Sequence, residues 1–284
     1  MSTRMPNESW ARWLALGLLL AVAAQAPAKT REACEQQYRP SSGQAGKDVV
    51  WVPTNDALVV RMLEMAKVTP ADLVYDLGAG DGKIAIAAAK RFGAKAVGIE
   101  YNPDMAKLAQ CYIEAENVGN RVRIMQGDIF ETDFSAATVV TLYLLPELNL
   151  RLRPTLLKMK PGTRVVSHSF LMEDWEPDDR TMSDDGYAYL WIVPADVKGT
   201  WVFKQQGGNE SFPVTLEQTF QELEGTFGPN KQQLTDAKLS GAQLNLSFED
   251  GGGPVTIVGR VAGDRIEARV TREGKAANYV GERR

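Results

Sequence analysis

Val74-Tyr75-Asp76-Leu77-Gly78-Ala79-Gly80-Asp81-Gly82-Lys83, continuing into Ile84-Ala85-Ile86-Ala87-Ala88-Ala89-Lys90, is the stretch on which the fold turns. Leu73 to Leu77 is short and mostly apolar and reads as a buried strand, while the alanine-rich run from Ile84 to Arg91 has helix propensity. Glycines at 78, 80 and 82 make the joint between them, where a ligand can approach bare backbone. A dinucleotide fingerprint would need its third glycine at 83, where Lys83 stands. Pyrophosphate also wants helix N–H groups free of carboxylates, yet this loop carries Asp76 and Asp81. Two acids suit a ligand with cationic groups, such as the ammonium and sulfonium of S-adenosylmethionine. An ordinary glycine-rich turn is the plain alternative.

Strand and helix signals alternate on either side of the joint. Thr54 is placed to cap a helix from Asn55 to about Lys67, and Pro70 ends it. Ala94 to Ile99 reads as a second strand, finishing on Glu100, 22 positions after Gly78, where a doubly wound fold puts an acid for ribose hydroxyls. Asn102 and Pro103 then open a helix whose apolar residues Met105, Leu108, Ala109, Tyr112 and Ile113 share one face. Arg121 to Met125 reads as a third strand leading into Gly127-Asp128-Ile129-Phe130, where Asp128 can accept from an adenine amino group and the Ile129 N–H can hold the base. Thr138 to Leu142 and Thr163 to Ser167 read as the fourth and fifth strands, and Pro154 is expected to break or kink the helix that starts at Pro146. Asp76, Glu100, Asp128, Tyr143 and His168 all fall at carboxyl ends of strands, where an open α/β sheet binds its ligand.

With those residues in place, positions 48 to about 195 resemble the class I S-adenosylmethionine-dependent methyltransferases. The segments Val52-Pro53-Thr54, Val74 to Gly82, Gly98-Ile99-Glu100, Val139 to Asn149 and Leu152-Arg153-Pro154 are similar to the protein-lysine methyltransferase family, whose mitochondrial members modify the ATP synthase c-subunit and the adenine nucleotide translocase. The resemblance implies S-adenosylmethionine as cofactor, with Asp76, Gly78, Gly80, Glu100 and Asp128 carried over as its contacts; Asp81 and Ile129 join them from the reading of the residues above. The resemblance also implies methyl transfer to a lysine-bearing protein, with membrane-associated proteins among the candidates. Ser167-His168-Ser169-Phe170, where the family pattern leads one to expect a third-position acid, departs from it, as does the long C-terminal extension, and both departures bear on the substrate rather than the cofactor. Two further readings stay open: a small-molecule methyltransferase, and a non-catalytic protein of the cell envelope that keeps the cofactor fold.

Tyr143 stands where the family places its substrate-facing motif, and its hydroxyl or ring could orient an amine; a tyrosine that merely caps the sheet fits equally well. His168, the single histidine, reads either as a proton acceptor or positioning group or as a satisfied structural residue. With two cysteines and that one histidine, a protein-built metal site is not expected. The formal net charge of −4 argues against a general nucleic-acid binder.

The N-terminus reads as a secretory signal over residues 1–28: Arg4 and Arg12, an apolar run from Trp13 to Ala24, then Ala26-Pro27-Ala28 as a cleavage site. Export to the periplasm or beyond is the first expectation, and an uncleaved anchor through residues 13–28 the second. Residues 29–47 read as a polar linker, and Cys34 and Cys111 as unpaired thiols. The acidic stretch from Glu173 to Asp185 reads as a solvated loop or a negative rim that steers a basic substrate. From 197 to 284 the apolar residues alternate, as in Phe212, Val214, Leu216 and again in Leu244, Leu246, Phe248, with glycines between the runs. The expected fold is therefore α/β, a doubly wound Rossmann-like sheet over 48–196 followed by a small antiparallel barrel or sandwich of six or seven strands.

Overall fold

The computed structural model describes residue 1, residues 29–183 and residues 186–284. The expected signal segment, Met1 apart, lies outside the described residues. So do Asp184 and Asp185.

The strand read at the glycine joint is β1 (Leu73–Leu77), and it lies third in a seven-stranded sheet, between two parallel neighbours. Beside it lie β2 (Lys95–Glu100), β3 (Val122–Gln126), β4 (Val139–Leu142) and β5 (Arg164–His168), all parallel. The sheet ends with β6 (Asp179–Ser183) and β7 (Gly186–Ile192), in the order β3-β2-β1-β4-β5-β7-β6. β7 runs antiparallel to both of its neighbours. Strand order reverses between β1 and β4, so the carboxyl ends of those two strands part and leave a crevice.

Buried residues cover both faces of this sheet, as parallel strands require. One face packs on α2 (Asp56–Met65), α3 (Lys83–Phe92) and α4 (Pro103–Ala115). The other packs on α5 (Pro146–Leu156), which continues through Pro154 rather than breaking there. The N-cap of α2 is Asn55, whose Oδ1 accepts from the Ala57 N–H. The expected cap, Thr54, is engaged elsewhere.

Three expectations are corrected. Residues 29–47 are not a featureless linker, since Arg31–Tyr38 form α1, capped by the Thr30 hydroxyl. Cys34 and Cys111 are not free thiols: they form a disulfide that fastens α1 to α4 across a sequence separation of 77. Arg31 adds an ion pair to Glu116 and lies 4.2 Å above the Tyr112 ring. The stretch from Glu173 to Asp185 is not one loop, because β6 takes up its second half. Asp178 accepts from the Ile192 N–H at the end of β7 away from the crevice, and Asp174 pairs with Arg153. Those acids therefore do not rim the crevice.

Beyond β7, the alternation seen in the sequence builds a second core around Trp201, Phe203, Phe212, Leu244 and Phe248. Its strands are β8 (Gly199–Gln205), β9 (Ser211–Thr219), β10 (Glu222–Phe227), the short β11 (Gln232–Gln233), β12 (Asp236–Ser240), β13 (Gln243–Asp250), β14 (Gly253–Ala262), β15 (Arg265–Arg272) and β16 (Lys275–Arg283). β16 pairs with β8, β8 with β9 and β9 with β10, which pairs on to β12, so the sheet closes on itself with β11 as an appendage on β10. Closure removes the free edges that an open antiparallel sheet would present. The barrel joins the first sheet at the amino ends of the parallel strands. A Cβ on Gly241 would fall 2.8 Å from the Gly162 Cα, just ahead of β5, and the buried Trp175 donates to Gln221. The crevice and the barrel thus occupy opposite ends of the sheet.

The disulfide has a measurable consequence. Closing a loop of this length restricts the unfolded chain by about 4 kcal/mol. Replacing both cysteines by serine should lower the unfolding midpoint by on the order of 10 °C. Calorimetric scans of the wild type and the double variant check it, and coincident midpoints would show that the bond does not hold α1 in place.

Candidate active site

The joint after β1 is tied down before any ligand is considered. Gly78 and Ala79 both donate to the Ile99 carbonyl at the end of β2, at 2.9 and 3.0 Å. Gly78 has φ +80°, a region glycine enters without strain. A Cβ there would sit 3.1 Å from Leu144, in the space between the β1 and β4 ends. Glu100 does the heavier positioning. Its Oε2 accepts from the Gly80 N–H and its Oε1 from the Asn102 N–H, each at 2.8 Å. One carboxylate therefore fixes both the glycine loop and the start of α4.

The crevice is a cavity of about 330 Å³. Asp76, Gly78, Asp81, Glu100, Asp128, Ile129 and Tyr143 line it, so the structure brings together seven of the nine residues singled out from the sequence. Gly80 and His168 are not among the lining residues. The Trp51 indole lies over Gly80, within 2.4 Å of where a Cβ would stand, so Gly80 serves the site through its bond to Glu100. His168 is buried behind the wall, its ring 3.8 Å from Tyr143 and its Nδ1 3.0 Å from the Thr54 hydroxyl.

Sequence reasoning missed the roof. Residues 44–54 form a strap over the crevice, closed on itself by bonds from Gly46 to Val49 and from Trp51 to Gln44. Its Ala45 carbonyl accepts from Asn102, and Lys47 reaches Asp128 at 2.5 Å while lying 5.1 Å from the Tyr101 ring. The apolar run Val49-Val50-Trp51-Val52, directly after a polar stretch, was the signal for this element.

The electrostatics follow from burial. Asp76 is almost fully buried and accepts from the Thr141 hydroxyl at 2.7 Å. Burial pushes its carboxyl up to about 7; Thr141 opposes the shift, and the neighbouring Asp81 and Glu100 add to it. Burial also raises Asp81 and Glu100, against the pull of Lys83 on Asp81 and of backbone N–H groups on Glu100. Asp128 moves the other way, because Lys47 favours its charged form. Three buried carboxylates on one cavity wall call for a cationic ligand. The rest of the lining is apolar: Ile84, Met105, Leu144, Leu148 and Phe170 suit an adenosine and an alkyl chain.

Comparisons with known proteins agree with this geometry. The sequence profile of the ANTKMT methyltransferase domain matches residues 76–179. A protein-lysine N-methyltransferase of Saccharolobus islandicus is 48% identical over 151 residues, covering 51% of this chain and 94% of the relative. The chain belongs to the protein-lysine methyltransferase family. The lysine N-methyltransferase of the ATP synthase c-subunit from Homo sapiens is 30% identical over 146 residues, 51% of this chain and 61% of that protein, so the match spans less than two thirds of its length. A crystal structure of a Salinibacter ruber RNA methyltransferase with S-adenosyl-L-homocysteine is 48% identical, with a TM-score of 0.51 over 51% of this chain and 96% of that one. The protein is an S-adenosylmethionine-dependent methyltransferase, and each of these three relatives covers about half of it.

Glu100, Asp76, Asp81 and Ile129, the residues expected from the sequence to meet the ribose, the cationic end and the base, all line this one cavity. The sign of the pH effect follows from Asp76. Its folded pKa lies above the unfolded value, so the group costs stability as pH rises from about 4 to about 7, and the cost is complete above that. A cationic ligand needs the ionised form, so cofactor affinity should climb by up to about tenfold between pH 6 and pH 8. Asp76→Asn should flatten that climb, weaken binding at pH 8, and unfold at a higher temperature than wild type above pH 7, the gap closing toward pH 4. Calorimetric titration and thermal scans across pH test all three, and an unchanged slope in the variant would remove Asp76 from the binding step.

Proposed function

We propose that the enzyme transfers the methyl group of S-adenosylmethionine to the ε-amine of a lysine in a protein. The carrying observation is the wall at the β4 and β5 ends, where Tyr143, Leu144, Leu145, Leu148 and Phe170 line the cavity without a carboxylate or a basic group. The Tyr143 ring is braced by His168 behind it and lies 6.3 Å from Phe170. Bound S-adenosylmethionine supplies a methyl on a sulfonium, already activated for in-line displacement. An amine entering beside this wall loses water, which favours its neutral, nucleophilic form without a dedicated base. The ring faces favour the positive charge that then develops on the nitrogen. Tyr143 is thus the group that orients the acceptor, and His168, held by Thr54, is the group that positions Tyr143.

The two relatives at 48% identity carry different acceptors in their names, protein lysine and RNA. Charge favours the first for this chain. A phosphate backbone is bound by clustered Lys and Arg, whereas Lys47 alone among the cavity-lining residues is basic, and it is paired with Asp128. Export is part of the same reading. The leader at residues 1–28 and the buried disulfide both support it, since such bonds persist in oxidising compartments.

The test of acceptor class is label transfer from methyl-labelled cofactor into a cell extract, with protein and RNA fractions counted separately and the labelled residue identified by mass spectrometry. Lysine is the expected site, and label confined to RNA would overturn the proposal. The rate should rise with pH as the amine loses its proton. Tyr143→Phe keeps the ring and should retain most activity, while Tyr143→Ala should cost about 10- to 100-fold in kcat with cofactor affinity nearly constant. Location has its own readout: thiol alkylation in rapidly quenched cells should find both cysteines protected, and free thiols in the folded enzyme would place it in a reducing compartment.

A further inference from the structure

Large apolar side chains left exposed are few among the described residues, and they are not scattered. Setting aside Met1, all but Val258 of the barrel fall at the carboxyl end of the parallel strands. Val50 and Val52 project from the strap, and Tyr101 and Leu145 stand at the ends of β2 and β4; all four also line the cofactor cavity. Leu171, Met182 and Tyr187 extend the set along the same end. Tyr187 registers with Met182 across β6 and β7, and its carbonyl accepts from Ser169, two residues before Leu171. The Leu171 carbonyl in turn lies against Asn149 of α5, the helix that begins right after Leu145. The apolar surface is therefore continuous with the mouth of the active site and runs from the strap to the β6–β7 edge.

An apolar surface of this kind marks a contact site. We infer that it docks an extended protein segment whose side chains on either side of the target lysine are apolar, which sharpens the lysine reading above and rests on it. Continuity decides the occupant, because whatever delivers an amine to Tyr143 must cross this rim. The charges near it are mixed, not the basic cluster of a lipid-binding face: Asp48 of the strap and Asp104 in the first turn of α4 stand at this end, Lys47 is paired with Asp128, and Arg151 lies over the Phe130 ring.

The experiment uses the full-length enzyme and two short peptides of equal charge, each with a central lysine, one flanked by Leu, Ile and Val and the other by Ser, Gly and Gln. The apolar peptide should be methylated with a kcat/KM about tenfold or more above the polar one. Leu171→Ser and Tyr187→Ser should each cut that advantage several-fold through KM, with affinity for S-adenosyl-L-homocysteine unchanged, and Val258→Ser on the barrel should do nothing. Equal kcat/KM for the two peptides, or rim variants that keep the full preference, would overturn the inference. Sedimentation with phosphatidylcholine vesicles, or a dimer in ultracentrifugation, lost in the rim variants and not displaced by the apolar peptide would overturn it too. Peptide binding by fluorescence anisotropy separates the two claims. Apolar-peptide binding that depends on Leu171 and Tyr187 but gives no methylation strikes the lysine reading and supports the rim.

Discussion

The Glu100 carboxylate is the constraint on which the site depends. Two backbone N–H groups converge on it, from Gly80 in the first loop and from Asn102 at the start of the next helix. A charged acceptor taking two buried donors is stronger than either bond between neutral groups. It holds the glycine loop at the end of β2, where β1 and β4 part, and keeps further lone pairs for a ligand. Replacing it would loosen the glycine loop and alter the cavity wall that Glu100 lines, so one side chain bears on both the fold and the site.

Around that point the cavity is an uneven field. Asp76, Asp81 and Glu100 are carboxylates kept at a cost by burial, which Lys83 offsets only in part at Asp81, and a cationic ligand would relieve them further. Asp128 is already relieved by Lys47, which belongs to the strap. The strap thus engages one acid of the site, while the disulfide anchors α1, the element that precedes it. Stability and ligand affinity oppose each other at Asp76, as buried charge at binding sites commonly requires.

The parts that were legible in the sequence were those written in local patterns. The strand–glycine–helix joint and the alternation of Phe212, Val214 and Leu216 rest on spacing within a few residues, and the acid at Glu100 on the fixed span of one strand–helix–strand unit. What could not be read was long-range or made by backbone. The Cys34–Cys111 bond joins residues 77 apart, and α1 offers little apolar pattern beyond Cys34 itself. The strap covers the crevice with a turn held by main-chain bonds, and the apolar run Val49 to Val52 marks the segment without showing where it packs. β6, Asp-Arg-Thr-Met-Ser, is a polar edge strand, and polarity made it look like a loop. Closure of the barrel depends on the pairing of β9 with β10 and of β16 with β8, a matter of register rather than composition.

The most direct measurement is a crystal structure of the enzyme with S-adenosyl-L-homocysteine. The account predicts the ribose hydroxyls on Glu100, the sulfur facing Asp76 and Tyr143, and the adenine at Ile129 with Lys47 drawn away from Asp128. Product bound elsewhere, with Glu100 untouched and the Lys47–Asp128 pair closed, would contradict it.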